Sequence, residues 1–283
     1  MNRFDFSDLK NKVCVITGGA GILGKAICEA LALAGIKTAI LDLDENAAEK
    51  MALDLTRQTG TQCIGVGANV LDKASLIKAR EHIVNRLGKI HFLINGAGGN
   101  SPEATSRVEQ ISGSGEFAPE ETFFGLDPAA FDKVFALNFT GTLLPVMVFV
   151  PEMVKNGKGV VLNISSMNSF RPLTKIPAYS AAKASVNNFT QWLSVHLAKT
   201  GVRVNAIAPG FFLTNQNRFL LVDEKTGKPT PRGEKIISNT PVGKYGQPED
   251  LQGAVLFLLS GMSSFITGVV LPVDGGYSAF GGV

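Results

Sequence analysis

Seven short apolar runs, each separated from the next by a stretch of helical periodicity, constrain this chain more than any other feature. They are VCVIT (13–17), KTAILD (37–42), QCIGVGA (62–68), IHFLIN (90–95), GVVLNIS (159–165), VRVNAIA (202–208) and GVVLPVD (268–274). A strand with one wet face alternates apolar and polar residues; these runs are nearly continuous, as expected when both faces are covered. Between them lie helical patterns at 22–35, 45–60 and 73–88 and around 128–155, 177–200 and 248–260. Gly35, Gly60, Gly88 and Gly201 stand where four of these helices should stop. Strand–helix repetition of this kind predicts an α/β fold, a doubly wound parallel sheet of seven strands in one domain spanning 1–283. In such folds ligands bind beyond the carboxyl ends of the strands, so the chemistry is sought there.

At 283 residues the domain can bury a large core and needs no disulfide staple. Cys14, Cys28 and Cys63, odd in number and set in apolar segments, read as reduced core residues of a cytoplasmic protein. The net charge is +3 with no run of lysine and arginine, so neither nucleic acid nor a membrane is an expected partner. The first twelve residues carry no apolar signal segment. Two long uncharged stretches, 134–151 and 252–273, are interrupted by polar residues, Pro and Gly, and read as buried elements rather than spans. Residues 100–127 and 211–247 break the rhythm. Loops of that length are usually functional, so the first is expected to be an insertion and the second a lid over the substrate.

The turn TGGAGILG (17–24) joins the first strand to the first helix. Glycines let a backbone approach a pyrophosphate, and the helix start supplies free N–H groups. Gly18, Gly21, Ile22, Leu23 and Gly24 are therefore candidate cofactor contacts. Asp42 ends the second strand, where a carboxylate can accept hydrogen bonds from ribose hydroxyls. It would repel a 2′-phosphate, and Leu43 offers no cation to attract one, so NAD(H) is favoured over NADP(H). Asn69 and Val70 are expected beside the adenine. The run NGAGG, with Asn95, Gly96, Ala97 and Gly98, is expected to lie flat under the cofactor.

YSAAK (179–183) puts Tyr179 and Lys183 four apart on a helix, hence on one face. An ammonium beside a phenol favours the phenolate and should lower its pKa, which would suit proton exchange with a carbonyl oxygen. Ser166, thirteen residues upstream, ends the fifth strand and is expected at the same place. Taken alone, Tyr-x-x-x-Lys is also compatible with a surface pair.

Together these motifs make the chain resemble the short-chain dehydrogenase/reductase family over essentially its full length. The matching residues are the glycine turn, Asp42, NGAG, Asn138 in ALNFTG, Ser166, YSAAK, Pro209 and Gly210 followed by Thr214, and VDGG (273–276). The resemblance implies a Rossmann-type fold and an NAD(P)-dependent oxidoreductase. It implies Tyr179 as general acid/base, Lys183 as its pKa modulator and a binder of the nicotinamide ribose, and Ser166 as polariser of the substrate oxygen. It further implies Asn138 as holder of a relay water, through a disturbance of its own helix. Pro209, Gly210, Phe212 and Thr214 would contact the nicotinamide end. The family is usually tetrameric or dimeric, which implies a homo-oligomer. Two positions depart from the family pattern: Ile22 stands where the turn usually has glycine, and Asn69 where aspartate is common.

A closer resemblance, carried by NISSMNSFRPLTKIPAYSAAK with TGGAGILG and NGAGGN, is to the branch of D-mannonate oxidoreductases, or fructuronate reductases. It implies interconversion of D-fructuronate and D-mannonate. A hexuronate needs a cation for its carboxylate and polar groups for its hydroxyls. Arg171, Lys175 and Arg218 are the candidate cations, and Asn100 and Asn168 the candidate hydroxyl partners. Alternatives are another sugar acid or a polyol such as gluconate, or a dinucleotide sensor without turnover. His82, His91 and His196 are scattered, and no metal site is expected.

Overall fold

Each apolar run becomes a strand because its backbone groups pair on both sides while both of its side-chain faces are buried. The computed structural model, which describes residues 5–112, 118–214, 218–224 and 226–282, has β1 (Val13–Thr17), β2 (Lys37–Asp42), β3 (Cys63–Gly67) and β4 (Phe92–Asn95). It continues with β5 (Gly159–Ile164), β6 (Val202–Pro209) and β7 (Val270–Val273). All pair in parallel, in the order β3-β2-β1-β4-β5-β6-β7. The winding direction reverses between β1 and β4. Thr17 is level with both Leu41 and Asn95, so three strands end together and leave a crevice there. β7 starts later than expected, at Val270, although Gly268, at a left-handed φ of 81°, still donates to Val204 O at 2.7 Å.

The helices are α1 (Ile22–Leu33), α2 (Glu45–Thr59), α3 (Lys73–Leu87), α4 (Pro128–Phe135), α5 (Gly141–Lys155) and α6 (Pro177–His196), followed by α7 (Arg218–Leu221), α8 (Pro231–Ser238) and α9 (Gln252–Leu259). Asp44, Asp72 and Asp127 start α2, α3 and α4 by accepting hydrogen bonds from first-turn N–H groups. Strand residues alternate between two cores. Cys14, Ile16, Ile40, Ile94 and Leu162 face α1, α2 and α9, whereas Val15, Leu41, Leu93 and Val161 face α3, α5 and α6. Each fully buried Leu or Ile contributes about 1.5–3 kcal/mol relative to exposure.

The helix expected at 128–155 is not uniform. A π-helical turn, Ala136–Thr140, joins α4 to α5. Its cause is local: Asn138 Nδ2 donates to Val134 O at 2.8 Å, the carbonyl that the Asn138 N–H would take in an α-helix. The segment Pro128–Lys155 is long and apolar enough to cross a membrane by length and composition. However, Phe149 and Met153 are fully buried, and α5 packs on α3, β4 and β5.

The stretch 211–247 carries more order than its sequence suggested, because α7 and α8 lie within it. The described parts of 100–127 include three 3-10 turns, Pro102–Ala104, Pro119–Glu121 and Phe123–Gly125. Ser106 N donates to Lys175 O at 2.8 Å, and Lys235 of α8 pairs with Glu109 at 2.6 Å, so the two long segments touch. Residues 113–117, 215–217 and 225 of these expectations lie outside the described residues.

Candidate active site

A cleft of about 450 Å³ opens beyond the carboxyl ends of β1 to β4. It is lined by Gly18, Gly21, Ile22, Leu23, Gly24, Asp42, Asn69, Val70, Gly96, Ala97, Gly98 and Thr214, all anticipated, and by Leu43, Ala68 and Leu137. Ala68 and Leu137 each precede a motif residue, Asn69 and Asn138, but carry no polar group that could have singled them out. Gly24 is needed for closeness: a Cβ there would stand 2.5 Å from Gly18 O and 2.6 Å from Gly19 O. Gly21 begins α1 with no side-chain cap, so the first-turn N–H groups of Ile22, Leu23 and Gly24 are left for a ligand. The Ile22 departure therefore costs the cradle nothing visible; its side chain becomes part of the cleft wall.

Asp42 Oδ2 accepts from Ala20 N at 3.1 Å and Oδ1 from Asp44 N at 3.3 Å. The acid thus ties the glycine turn to the end of β2 while lining the cleft. Leu43 beside it is 78% exposed and brings no cation. Asn69 Oδ1 accepts from Leu71 N at 2.9 Å, which makes the residue a turn former at the cleft edge. These groups suit an adenosine ribose and a pyrophosphate, so the cleft could hold a dinucleotide.

Besides Tyr179 and Lys183, four cofactor candidates fall outside the cleft lining. Asn95 is buried, and its Nδ2 donates to Asn163 Oδ1 at 2.8 Å; Asn163 Nδ2 in turn donates to Thr190 Oγ1 at 2.8 Å. Its amide therefore braces β4 and β5 against α6. Pro209 is the buried last residue of β6. Gly210 packs on Asp274, where a Cβ would come within 2.6 Å of its Cα. The Phe212 ring is buried and lies over Gly246, because an aromatic side chain gains more from the core than from an open cleft. Only Thr214 of that stretch lines the cleft.

The four polar residues nominated for catalysis are held next to the cleft. Asn138, at the π turn, is fully buried: Nδ2 donates to Gly99 O at 2.7 Å, and Oδ1 accepts from Gly99 N at 3.2 Å. Lys183 is 3% exposed, and its Nζ donates to Ile164 O at 2.8 Å. Gly98 is the meeting point. A Cβ on it would stand 2.6 Å from Asn138 Oδ1 and 3.1 Å from Lys183 Nζ. Lys183 Nζ lies 5.7 Å from the centroid of the Tyr179 ring, so the two side chains share a helix face as their spacing required. Ser166 is buried, and its hydroxyl is near enough to the Tyr179 phenol to favour the phenolate. Behind it, Ser165, Ser169 and Asn187 form a bonded cluster that locks the end of β5 to α6; the sequence offered no signal for this support.

One electrostatic expectation is corrected. The Tyr179 phenol stands above its ordinary pKa, not below it, because burial disfavours the phenolate more than the nearby Ser166 hydroxyl favours it. The larger adjustment falls on the lysine. Burial, with no carboxylate in contact, brings Lys183 down to about 8. An ammonium near neutrality and a protonated phenol together form a proton-donating pair.

The substrate candidates are less concentrated. Asn168 is buried, with Oδ1 unpartnered and its N–H bonded to Ser166 Oγ at 3.2 Å. Arg171 is exposed and donates through Nη1 to Phe280 O. Lys175 lies in the electrostatic reach of Glu109. The exposed Asn100 donates to Thr105 Oγ1 at 2.8 Å. Arg218 is exposed at the start of α7. Thus Asn168 touches Ser166 through its backbone N–H, the cap bond of a 3-10 turn, while the arginines are partnered elsewhere or face solvent.

Among the described residues no cluster of His, Cys, Asp and Glu could hold a metal ion. Residues 12–225 match the family profile described as short chain dehydrogenase. An uncharacterized oxidoreductase of Bacillus subtilis, UxuB, is 47% identical over 277 residues, covering 98% of both chains. A crystal structure of a protein from Haemophilus influenza, put forward as a D-mannonate oxidoreductase and solved with bound NAD, superposes with a TM-score of 0.91. It is 48% identical and covers 97% of this chain and 98% of its own. An NAD+-bound xylitol dehydrogenase superposes with a TM-score of 0.81 at 28% identity, covering 95% and 99%.

Proposed function

The chain belongs to the short chain dehydrogenase family, and on that premise we propose that it is an NAD(H)-dependent oxidoreductase that interconverts D-fructuronate and D-mannonate. The observation that carries the chemistry is the convergence of Tyr179, Ser166, Lys183 and Asn138 beside a dinucleotide cradle. The preference for NAD is supported by Asp42 and Leu43, and by the NAD bound to the Haemophilus relative. The substrate reading rests on that same relative at 48% identity.

When bound, the nicotinamide supplies the hydride to the keto carbon, or accepts it in reverse. The protein does the rest. Free N–H groups of α1 and the Asp42 carboxylate hold the pyrophosphate and ribose. Ser166 and Tyr179 hydrogen-bond the substrate oxygen, and Tyr179 transfers the proton to it. Lys183 stabilises the phenolate left behind, and Asn138, anchored on Gly99, holds the relay at its inner end. Asn168 offers its unpartnered Oδ1 to a substrate hydroxyl, which must donate a bond to satisfy it. Arg171 and Lys175 are the candidate partners of the carboxylate. The α7–α8 segment, tied to the 100–127 segment through Lys235 and Glu109, forms the lid.

A second substrate class, a polyol or a different sugar acid, is favoured by the 28% identity to a xylitol dehydrogenase. A polyol differs from either acid in offering no carboxylate. The protein is further read as a homo-oligomer, joined through the exposed apolar face of α6. A reducing cytoplasmic compartment suits its three free, buried cysteines.

The test is NADH oxidation with fructuronate, other keto acids and xylulose, repeated with Tyr179→Phe. Fructuronate should be the fastest, and the variant should lose about 10²–10⁴-fold in kcat while still binding NADH. Equal rates with uncharged sugars would end the sugar-acid reading. A fully active Tyr179→Phe would end the mechanism.

A further inference from the structure

The parallel sheet has a second end. Below the amino ends of β1, β4, β5 and β6 lies a cavity of about 550 Å³ that shares no residue with the cofactor cleft. Phe92, Val160, Val202 and Leu259 contribute apolar walls. Charge is gathered at the rim, where Lys12, Lys158 and Arg203 face a single carboxylate, that of Asp8.

That carboxylate is already engaged: Asp8 Oδ2 accepts from Gly261 N at 2.8 Å and lies in the field of Arg203. Arg203 is committed too. It donates to Leu258 O at 2.9 Å, Ser260 O at 3.1 Å and Ile266 O at 3.2 Å, closing one wall. Among the described residues, neither Lys12 nor Lys158 has a carboxylate within ion-pair distance. Their positive field is felt inside the cavity: with burial, Lys12, Lys89 and Lys158 hold His91 neutral down to about 4. His91 Nδ1 accepts from Val13 N at 3.1 Å, so the ring proton sits on Nε2, which remains a donor. The cavity therefore has an apolar floor, a neutral donor and two uncompensated ammonium groups.

We infer that this basal cavity is a binding site for a small amphipathic organic anion, its carboxylate met by Lys12 and Lys158 and its hydrocarbon body laid on Phe92, Val160 and Val202. An inorganic anion would leave the apolar floor wet, and a neutral hydrocarbon would leave the cations unanswered. The inference does not depend on which substrate the catalytic end uses.

The probe is octanoate, titrated calorimetrically into the full chain in the presence of NADH at low ionic strength. One saturable site per chain is expected, weakened by added salt. Octanol and inorganic phosphate should bind more weakly than octanoate. Lys12→Gln combined with Lys158→Gln should weaken octanoate about fivefold or more, the sum expected of two partly exposed pairs. Ser264→Trp, an exposed position on the cavity wall, should block it without touching a charge. Both variants should keep the far-UV circular dichroism of the parent. Absence of saturable binding would overturn the inference, as would octanoate binding indifferent to both variants, since the anion would then occupy the catalytic end.

Discussion

Lys183 is a lysine that gives up its proton near pH 8, because burial penalises the ammonium and no carboxylate offsets the penalty. On the proposed mechanism the ammonium supports proton donation by Tyr179 below that value, and above it the support is lost. In the reducing direction kcat/KM should therefore decline above about pH 8, and a profile measured from pH 6 to 10 that stays flat past 9 would contradict this. The same shift has the opposite sign in stability. Between the folded value and the ordinary 10.5 the unfolded chain binds the extra proton, so this group adds stability as pH rises. Gly98 is the other decisive single residue. Gly98→Ala would place a methyl 2.6 Å from Asn138 Oδ1 and 3.1 Å from Lys183 Nζ. Displacing the pair by about 1 Å should cost about 10²-fold in kcat, and thermal stability should fall as well, since both side-chain ends are buried and hydrogen-bonded. Activity near that of the parent would mean that the two groups do not need this spacing.

At the scale of elements, the β2–α2 junction is where the choice of dinucleotide is expected to be made. Asp42 ends β2 and lines the cleft, Leu43 follows it exposed, and Asp44 caps α2. Replacing Asp42 by Ala and Leu43 by Arg should remove the charge that repels a 2′-phosphate and add one that attracts it. KM ratios for NADPH against NADH should fall at least about tenfold, the equivalent of one charged contact. An unchanged ratio would place the adenosine ribose elsewhere. The π turn is an element that periodicity could not reveal. The apolar pattern of 128–155 reads as one helix, and only the competition of the Asn138 side chain for Val134 O adds the extra residue that turns Asn138 inward.

For the molecule as a whole, the conspicuous surface is an aromatic ladder. Phe139 meets Phe189 edge-on, Phe189 stacks on Trp192, and Trp192 stacks on His196 at 4.9 Å. Trp192 remains 58% exposed and Val195 78%. Covering such a face is favourable by about 25 cal/mol per Å² of apolar area. Sedimentation should give a multiple of the 30.0 kDa chain mass, and Trp192→Asp with Val195→Asp should yield monomers of unchanged secondary structure. A monomeric parent would dismiss this face as the interface.

Read by itself, the sequence determined the sheet, its parallel sense, the cleft-lining glycine turn and the Tyr179–Lys183 face. Each of these follows from a local period or spacing that no distant contact can change: continuous apolar runs for doubly covered strands, four residues for one helical face, small residues where backbone must come close. Tertiary structure alone decided the rest. Phe212 went to the core and Asn95 to a brace between strands, because burial and hydrogen-bond partners come from segments far away in the chain. Arg171 found Phe280 O, 109 residues on, and Lys235 found Glu109, 126 residues back. The proton affinities of Tyr179 and Lys183 belong to that same class. The motif names the two groups, but the desolvation that raises one pKa and lowers the other exists only once β5, α6 and the Gly98 backbone close around them.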